Sequence, residues 1–188
     1  MKLLIATLMA LLTSAQTNPA GSTKVPAALN FTMSSLDGKP VDLSKYQGNV
    51  VLMVNVASEC GYTPQYAGLE QLHKKYSGKG LRILAFPAND FGSQEPGTNA
   101  QIAEFCQKNY GVEFDLFSKI VVKGAGQVPL YKFLTSKQTN PKFAGDVAWN
   151  FEKFLIGRNG EVIGRFLSEV EPLSGQMVSA VEKALATP

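Results

Sequence analysis

Two cysteines carry the most reactive chemistry in the sequence. Cys60 stands in a polar loop, residues 58–62, which follows the apolar run Val50–Val56 and precedes a predicted helix over residues 64–77 with Thr63 as its cap. Near the start of a helix, backbone N–H groups and the helix dipole stabilise a thiolate, which is the nucleophilic form of cysteine. The position therefore predicts a reactive Cys60, and a buried inert cysteine is the alternative.

The second cysteine, Cys106, lies in a segment with helical periodicity, residues 98–110, which Thr98 can cap. Ile102 precedes Cys106 by one helical turn, so the pattern predicts that Cys106 faces partly inward. An inward cysteine can be a simple core residue. If the chain is exported, its two cysteines would usually form one structural disulfide, and that interpretation stays open. His73 is the sole histidine, so a zinc site has too few soft ligands.

The elements that position these side chains follow from hydrophobic periodicity and turn residues. In chain order the predictions are a hairpin over residues 30–43 turning at Asp37-Gly38, strands over 50–56 and 81–86, helices over 64–77 and 98–110, a short strand within 114–122, a helix over 129–135, a hairpin over 154–166 turning at Asn159-Gly160, and a helix over 172–186. Strands that alternate with helices build an α/β sandwich with a mixed sheet. The order fits a thioredoxin-like fold, with a mixed central sheet flanked by helices and an N-terminal β-hairpin.

The composition is that of one globular domain, with 188 residues, 45% of them hydrophobic and 18% charged. The net charge is only +3 and basic residues alternate with acidic ones, so a nucleic-acid partner is not expected.

The first 15 residues have the features of a secretory signal peptide: a basic Lys2, an apolar stretch over residues 3–12 and small residues before a cleavage site. The predicted organisation is a signal peptide over residues 1–15, a flexible leader over 16–26 and one domain over 27–188. We therefore expect an exported protein, periplasmic or secreted. The apolar stretch is shorter than the roughly 20 residues of a membrane-spanning helix, so stable membrane insertion is not expected.

Three sequence blocks resemble the signature blocks of the glutathione peroxidase family. They are Asn-Val-Ala-Ser-Glu-Cys-Gly-Tyr-Thr at residues 55–63, Leu-Ala-Phe-Pro running into Phe-Gly-Ser-Gln-Glu-Pro-Gly within 84–97, and Trp-Asn-Phe-Glu-Lys-Phe-Leu at 149–155. The resemblance covers nearly the whole chain from about Asn30, with the blocks in the family's order. It implies a peroxidase in which Cys60 attacks the peroxide and Gln94, Trp149 and Asn150 surround the reactive sulfur as hydrogen-bond donors.

Donors of this kind make chemical sense, because an attacking thiolate and the alkoxide that leaves a split O–O bond are both stabilised by fixed amide and indole N–H groups. Each residue also has a structural interpretation. Trp149 can be core, Gln94 can shape a turn, and Asn150 can satisfy a loop backbone. Their joint occurrence favours the catalytic interpretation.

The segment around Cys106, residues 102–110, resembles the one that holds the resolving cysteine of the two-cysteine, thioredoxin-dependent, non-selenium members. The resemblance implies a thiol peroxidase that reduces hydrogen peroxide and organic hydroperoxides through a Cys60 sulfenic acid and a Cys60–Cys106 disulfide. A thioredoxin-like reductant would recycle that disulfide, and no cofactor is expected. A disulfide needs Cα atoms within about 7 Å, so the helix around Cys106 is expected to loosen.

The chain departs from the family pattern in two ways. Ala88 and Asp90 replace the cysteine and glutamine that are common there, so Cys60 and Cys106 are the only cysteines that can pair within the chain, and Asp90 adds a charge. The second departure bears on the reductant, because none of the only three arginines matches the basic residues that hold glutathione in the oligomeric animal enzymes. The stretch over residues 130–149 is short for the subunit-contact loop of those enzymes. We therefore expect a monomer for which glutathione is the less suitable reductant.

Two other functions stay open at this stage. One is a peroxide sensor or relay, in which oxidised Cys60 passes its oxidation to a partner protein. The other is an inert domain whose two cysteines form a structural disulfide.

Overall fold

A computed structural model describes residues 24–187 of the chain. The predicted signal peptide and most of the leader lie outside the described residues. Strands β1 (Thr32–Ser34) and β2 (Pro40–Asp42) form the expected antiparallel hairpin. Gly38 adopts a φ of 80° in the connecting turn, a backbone conformation that glycine adopts without strain. This hairpin is a two-stranded sheet of its own and does not extend the central sheet.

The central sheet has five strands in the order β5-β4-β3-β6-β7. They are β3 (Val50–Val56), β4 (Leu81–Pro87), β5 (Asp115–Leu116), β6 (Lys153–Ile156) and β7 (Val162–Phe166). Strand β3 pairs parallel with β4 and antiparallel with β6, which confirms a mixed sheet. Every residue of β3 is buried, as its continuous apolar run predicts for a central strand covered on both faces.

Among residues 24–187, four α-helices cover the sheet: α1 (Gln65–Tyr76), α2 (Asn99–Tyr110), α3 (Pro129–Thr135) and α4 (Gly175–Ala186). Helices α1, α2 and α4 contribute to one hydrophobic cluster, which we call the α1 cluster, on one face of the sheet. Helix α3 and the N-terminal hairpin contribute to a second cluster on the opposite face. Successive β3 side chains alternate between the two clusters, so both faces of the sheet are covered and the predicted α/β sandwich is confirmed.

Strand β5, of two residues, is the short strand predicted within 114–122. Two other local predictions differ from the structure. Helix α4 begins at Gly175 because the Ser174 side chain accepts a hydrogen bond from the backbone of Met177 and caps it there. Helix α1 begins at Gln65, and Thr63 does not cap it. Among residues 24–187, no helix is both long enough and apolar enough to span a lipid bilayer.

Candidate active site

Cys60 lies in the turn between β3 and α1, and only 8% of it is exposed. The Tyr62 N–H donates a hydrogen bond of 3.4 Å to its sulfur. Thr63 closes the turn, since its hydroxyl oxygen accepts from the Cys60 N–H at 3.0 Å and donates to the Ala57 carbonyl at 2.9 Å. The side chain expected to cap the helix thus shapes the cysteine turn instead. A backbone donor and a helix start both favour negative charge on the sulfur.

Gln94 follows β4 in a tight turn beside the cysteine loop. The Glu59 N–H, adjacent to Cys60, donates to the Gln94 carbonyl at 2.9 Å. Gly92 and Ser93 adopt φ values of 61° and 54°, a conformation that is strained for serine. The turn therefore brings a carboxamide from the end of one parallel strand to the end of its neighbour, where open α/β sheets place their sites.

Asn150 lies in the loop before β6 and is completely buried. Its Nδ2 donates to the Gln94 Oε1 at 2.9 Å, and the Ser168 hydroxyl donates to its carbonyl at 2.6 Å. The next residue, Phe151, has a φ of 61°, which costs backbone strain in a residue other than glycine. Such a conformation persists only where the surrounding contacts impose it.

Asn55, on β3, supplies two of those contacts. Its Nδ2 donates to the Trp149 carbonyl at 3.0 Å, and its own carbonyl accepts from the Phe151 N–H at 2.6 Å. Sequence reasoning missed this residue. The available signal was that Asn55 is the one polar residue of an otherwise apolar strand. Burying an amide is unfavourable unless it is hydrogen-bonded, so such a residue indicates polar partners elsewhere in the fold.

Trp149 is 39% exposed, and its ring lies 5.5 Å from that of Phe91, centroid to centroid. Within residues 24–187, neither the Trp149 indole N–H nor the Gln94 Nε2 donates a hydrogen bond to another residue. Two N–H donors at this loop cluster are thus available to a bound molecule. The structure joins Gln94 and Asn150 directly. It bonds the Asn150 segment to Asn55 on β3 and the Gln94 segment to Glu59 in the loop that follows β3.

Glu152 and Arg165 form a buried ion pair behind the Trp149 loop. The second carboxylate oxygen of Glu152 accepts from the Ala148 N–H at 2.7 Å, and Arg165 also donates to carbonyls of the 143–146 segment. The sequence analysis did not predict this pair. The available signal was Glu152, a charged residue beside apolar ones, because a buried carboxylate needs a partner of opposite charge. The pair fixes the loop that carries Trp149 and Asn150.

Cys106 lies on α2 with no exposed surface, and it belongs to the same α1 cluster as Cys60. Both cysteines are free thiols. Burial raises the pKa of Cys106 to about 11, the neighbouring Tyr66 hydroxyl lowers it, and the charge of Glu95 raises it further. The inward orientation predicted from its spacing to Ile102 is confirmed.

A cavity of about 410 Å³ separates the cysteine loop from α2. Its lining includes Ser58 and Glu59 on one side, Ile102 and Phe105 on the other, and Glu95 between them. Glu95 is completely buried and neither of its carboxylate oxygens makes a well-formed hydrogen bond within the described part of the chain. Burial raises its pKa, and the nearby Ser58 opposes that rise.

The two substituted positions of the family pattern have structural counterparts. Asp90 accepts a hydrogen bond of 2.7 Å from the Val122 N–H, so its carboxylate anchors the segment after β5. Ala88 is buried in the second cluster, on the face of the sheet opposite to Cys60. Ala88 therefore does not belong to the cluster that contains Cys60.

A cysteine at the carboxyl end of a central strand, in a mixed sheet covered by helices, defines a thiol-dependent protein of the thioredoxin-like class. Solved structures share this fold. A thioredoxin-family thiol:disulfide interchange protein from Chlorobium tepidum matches with a TM-score of 0.60 at 16% identity, over 82% of this chain and 92% of that one. T. cruzi GPX1 matches with a TM-score of 0.65 at 34% identity, over 84% of this chain and 95% of that one.

Residues 28–135 match the family described as glutathione peroxidase. A glutathione peroxidase from Lactococcus lactis subsp. cremoris is 47% identical over 156 residues, covering 83% of this chain and 98% of the relative. A glutathione peroxidase-like peroxiredoxin from Schizosaccharomyces pombe is 52% identical over 136 residues, covering 72% and 85%. The chain belongs to the glutathione peroxidase family, and it is a thiol peroxidase that reduces hydroperoxides, as the sequence blocks predicted.

Proposed function

We propose that Cys60 is the peroxidatic nucleophile. Its thiolate attacks the terminal oxygen of a hydroperoxide, an S–O bond forms while the O–O bond breaks, and the leaving alkoxide takes a proton to become an alcohol, or water from hydrogen peroxide. Cys60 is left as a sulfenic acid. The Tyr62 N–H on its sulfur and the adjacent start of α1 support this role, because both stabilise the thiolate.

Gln94, Trp149 and Asn150 donate hydrogen bonds to the charge that develops on sulfur and on the leaving oxygen. The observation that carries this assignment is the hydrogen bond from Asn150 to Gln94, which joins two segments distant in sequence beside the cysteine loop. It orients the Gln94 carboxamide so that its Nε2 stays available. Preorganised donors of this kind lower the barrier because they need no rearrangement during the reaction.

Cys106 resolves the sulfenic acid. Its thiol attacks the Cys60 sulfur, a disulfide forms, and the hydroxyl group leaves as water with the thiol proton. Supporting this role, both cysteines belong to the α1 cluster. A thiol with a pKa of about 11 is a poor nucleophile near neutral pH, so α2 must open enough to expose Cys106 before it reacts.

The reductant is a thioredoxin-like protein, with glutathione less suitable. All three arginines are engaged elsewhere: Arg82 with carbonyls of residues 77 and 81, Arg158 with those of residues 48, 79 and 185, and Arg165 with Glu152 and the 143–146 segment. None is left to hold the carboxylates of glutathione. The S. pombe relative is itself named a peroxiredoxin.

The protein acts as an exported monomer, periplasmic or secreted, after loss of a signal peptide over residues 1–15 and with a short leader before a single domain over 27–188. The basic residue, apolar stretch and small residues at the start of the chain support export. The short connection between α3 and β6 supports the monomer.

A peroxidase assay that offers thioredoxin and glutathione in parallel tests the function. We expect sustained peroxide consumption by the wild type with thioredoxin, little with glutathione, and none by Cys60→Ser, whose hydroxyl is far less available as an anion. Consumption of peroxide by Cys60→Ser near the wild-type rate would refute the assignment. A single turnover that ends in a stable mixed disulfide with one partner protein would instead identify a sensor or relay.

A further inference from the structure

Lys153 is the first residue of β6 and has no exposed surface. Its ammonium group donates hydrogen bonds to the Gln65 side-chain oxygen, to the Val170 carbonyl at 2.7 Å and to the Ser168 carbonyl at 3.4 Å. Burying a charged group is unfavourable unless protein groups replace its hydrogen bonds to water. The three N–H donors of the Lys153 ammonium group therefore need three acceptors, and these residues supply them. No step of peroxide reduction described above uses this residue.

The acceptors of Lys153 are connected to the segments that carry the reacting groups. Gln65 is the first residue of α1, directly after the Cys60 turn, and its Nε2 donates to the Ser168 carbonyl at 2.6 Å. The Ser168 hydroxyl donates in turn to the carbonyl of Asn150 at 2.6 Å. One continuous set of hydrogen bonds therefore runs from the start of α1 through Lys153 and Ser168 to Asn150.

We propose that Lys153 is a positioning residue for peroxide reduction, holding the start of α1 and the Asn150 loop in fixed relation so that Cys60 and its donors meet the substrate together. This role rests on the proposed function of Cys60 and Asn150. It acts on the first attack and is independent of Cys106 and of the reductant.

The charge of Lys153 is sensitive to its surroundings. Burial lowers its pKa to about 8, while the carboxylates of Glu171, Glu169 and Glu152 oppose that change. Glu171 also lies 3.4 Å from the Gln65 Nε2, and Glu152 is paired with Arg165. A neutral amine keeps only two N–H donors for three acceptors. Raising the pH through about 8 should therefore release one of the contacts that order the network.

Trp149 is the sole tryptophan and precedes Asn150, so its fluorescence reports on this loop. In Cys60→Ser, which has no thiolate at the site, we expect the fluorescence to change with a midpoint near pH 8. The double variant Cys60→Ser, Lys153→Met should lose that change. The same change with the same midpoint in the double variant would overturn the proposal.

The second readout is the rate of the first attack, measured as loss of one thiol per equivalent of peroxide. We expect Lys153→Met to slow it on the order of 10- to 100-fold, as displacement of reacting groups does, and Lys183→Met, at an exposed position on α4, to leave it unchanged. Should Lys153→Met fail to fold, Ser168→Ala, which cuts the link to Asn150, should slow the attack instead.

A wild-type rate in folded Lys153→Met, or in Ser168→Ala, would refute the positioning role and leave the peroxidase assignment intact. A wild type that does not reduce peroxide would refute the proposed function. The fluorescence titration would still report whether Lys153 controls the Trp149 loop.

Discussion

Cys60 and Cys106 belong to one hydrophobic cluster, 8% and 0% exposed respectively, and no bond joins them. Cys60 lies at the edge of that cluster in a turn whose neighbours Glu59 and Gly61 are exposed, while Cys106 is enclosed by it. In the proposed mechanism, peroxide therefore reacts with Cys60 without rearrangement of the core, whereas Cys106 reacts only after α2 has moved.

The first prediction concerns Cys106→Ser. We expect it to consume about one equivalent of peroxide, because the first attack needs only Cys60. Turnover with thioredoxin should collapse, since thioredoxin attacks a disulfide through a mixed-disulfide intermediate and no intramolecular disulfide can form. Peroxide consumption and free thiols are measured together, with the exposed helix position Gln107→Ser as control. Full thioredoxin-supported turnover by Cys106→Ser would show that Cys106 is only a structural core residue.

The second prediction is a pH dependence of stability in the reduced protein. The pKa of Cys106 is raised from its ordinary 9.0 to about 11 in the folded state. The stability that this thiol contributes is therefore complete below pH 9 and is lost as the pH rises towards 11, because the unfolded chain ionises first. Urea unfolding should show the wild type losing about 1.4 kcal/mol per pH unit in that range relative to Cys106→Ala.

Glu95→Gln gives an independent check of the same thiol, because the charge of Glu95 contributes to the raised pKa of Cys106. Removing that charge should lower the pKa of Cys106 and speed its alkylation at pH 8–9. Glu104→Gln, an exposed position on the same helix, should leave the alkylation rate unchanged. Equal rates in Glu95→Gln and wild type would show that Glu95 does not act on this thiol.

The third prediction concerns the donors. Gln94→Ala, Trp149→Phe and Asn150→Ala should each slow the attack on peroxide by about 10²–10³-fold, because loss of one donor to developing charge costs about 2.7–4 kcal/mol. Stopped-flow oxidation of Cys60 measures the second-order rate, with exposed Gln71→Ala on α1 as control. Unchanged rates in all three variants would mean that these residues only shape the loops.

The fourth prediction tests the ion pair behind the Trp149 loop. Arg165→Met leaves the buried Glu152 carboxylate without its partner, and breaking such a pair typically costs about 3–5 kcal/mol. The exposed Lys108–Glu104 pair is the matched control, and Lys108→Met should cost only about 0.3–0.5 kcal/mol. Urea unfolding compares the two, and similar losses would show that the Arg165 pair contributes no more than a surface contact.

The sequence by itself determined the order of the elements, and it predicted a reactive Cys60. The continuous apolar run of β3 is a local pattern, and so is the Asn159-Gly160 turn, where Gly160 has the φ of 76° that a tight hairpin favours. A pattern of this kind depends on residues adjacent in the chain, whose spacing matches the repeat of a helix or a strand. The resemblance to the family blocks then predicted the four residues of the proposed site, Cys60, Gln94, Trp149 and Asn150.

Only the tertiary structure decided how those residues are held. Asn55 bonds to a carbonyl 94 positions away, and Lys153 reaches Gln65 across 88. Neither residue type nor periodicity identifies such partners, because they meet only after the strands have paired and the loops at their ends have converged. The same holds for Thr63, whose position in the sequence fits a helix cap. Once the turn has formed, its hydroxyl instead accepts from the Cys60 N–H and donates to the Ala57 carbonyl.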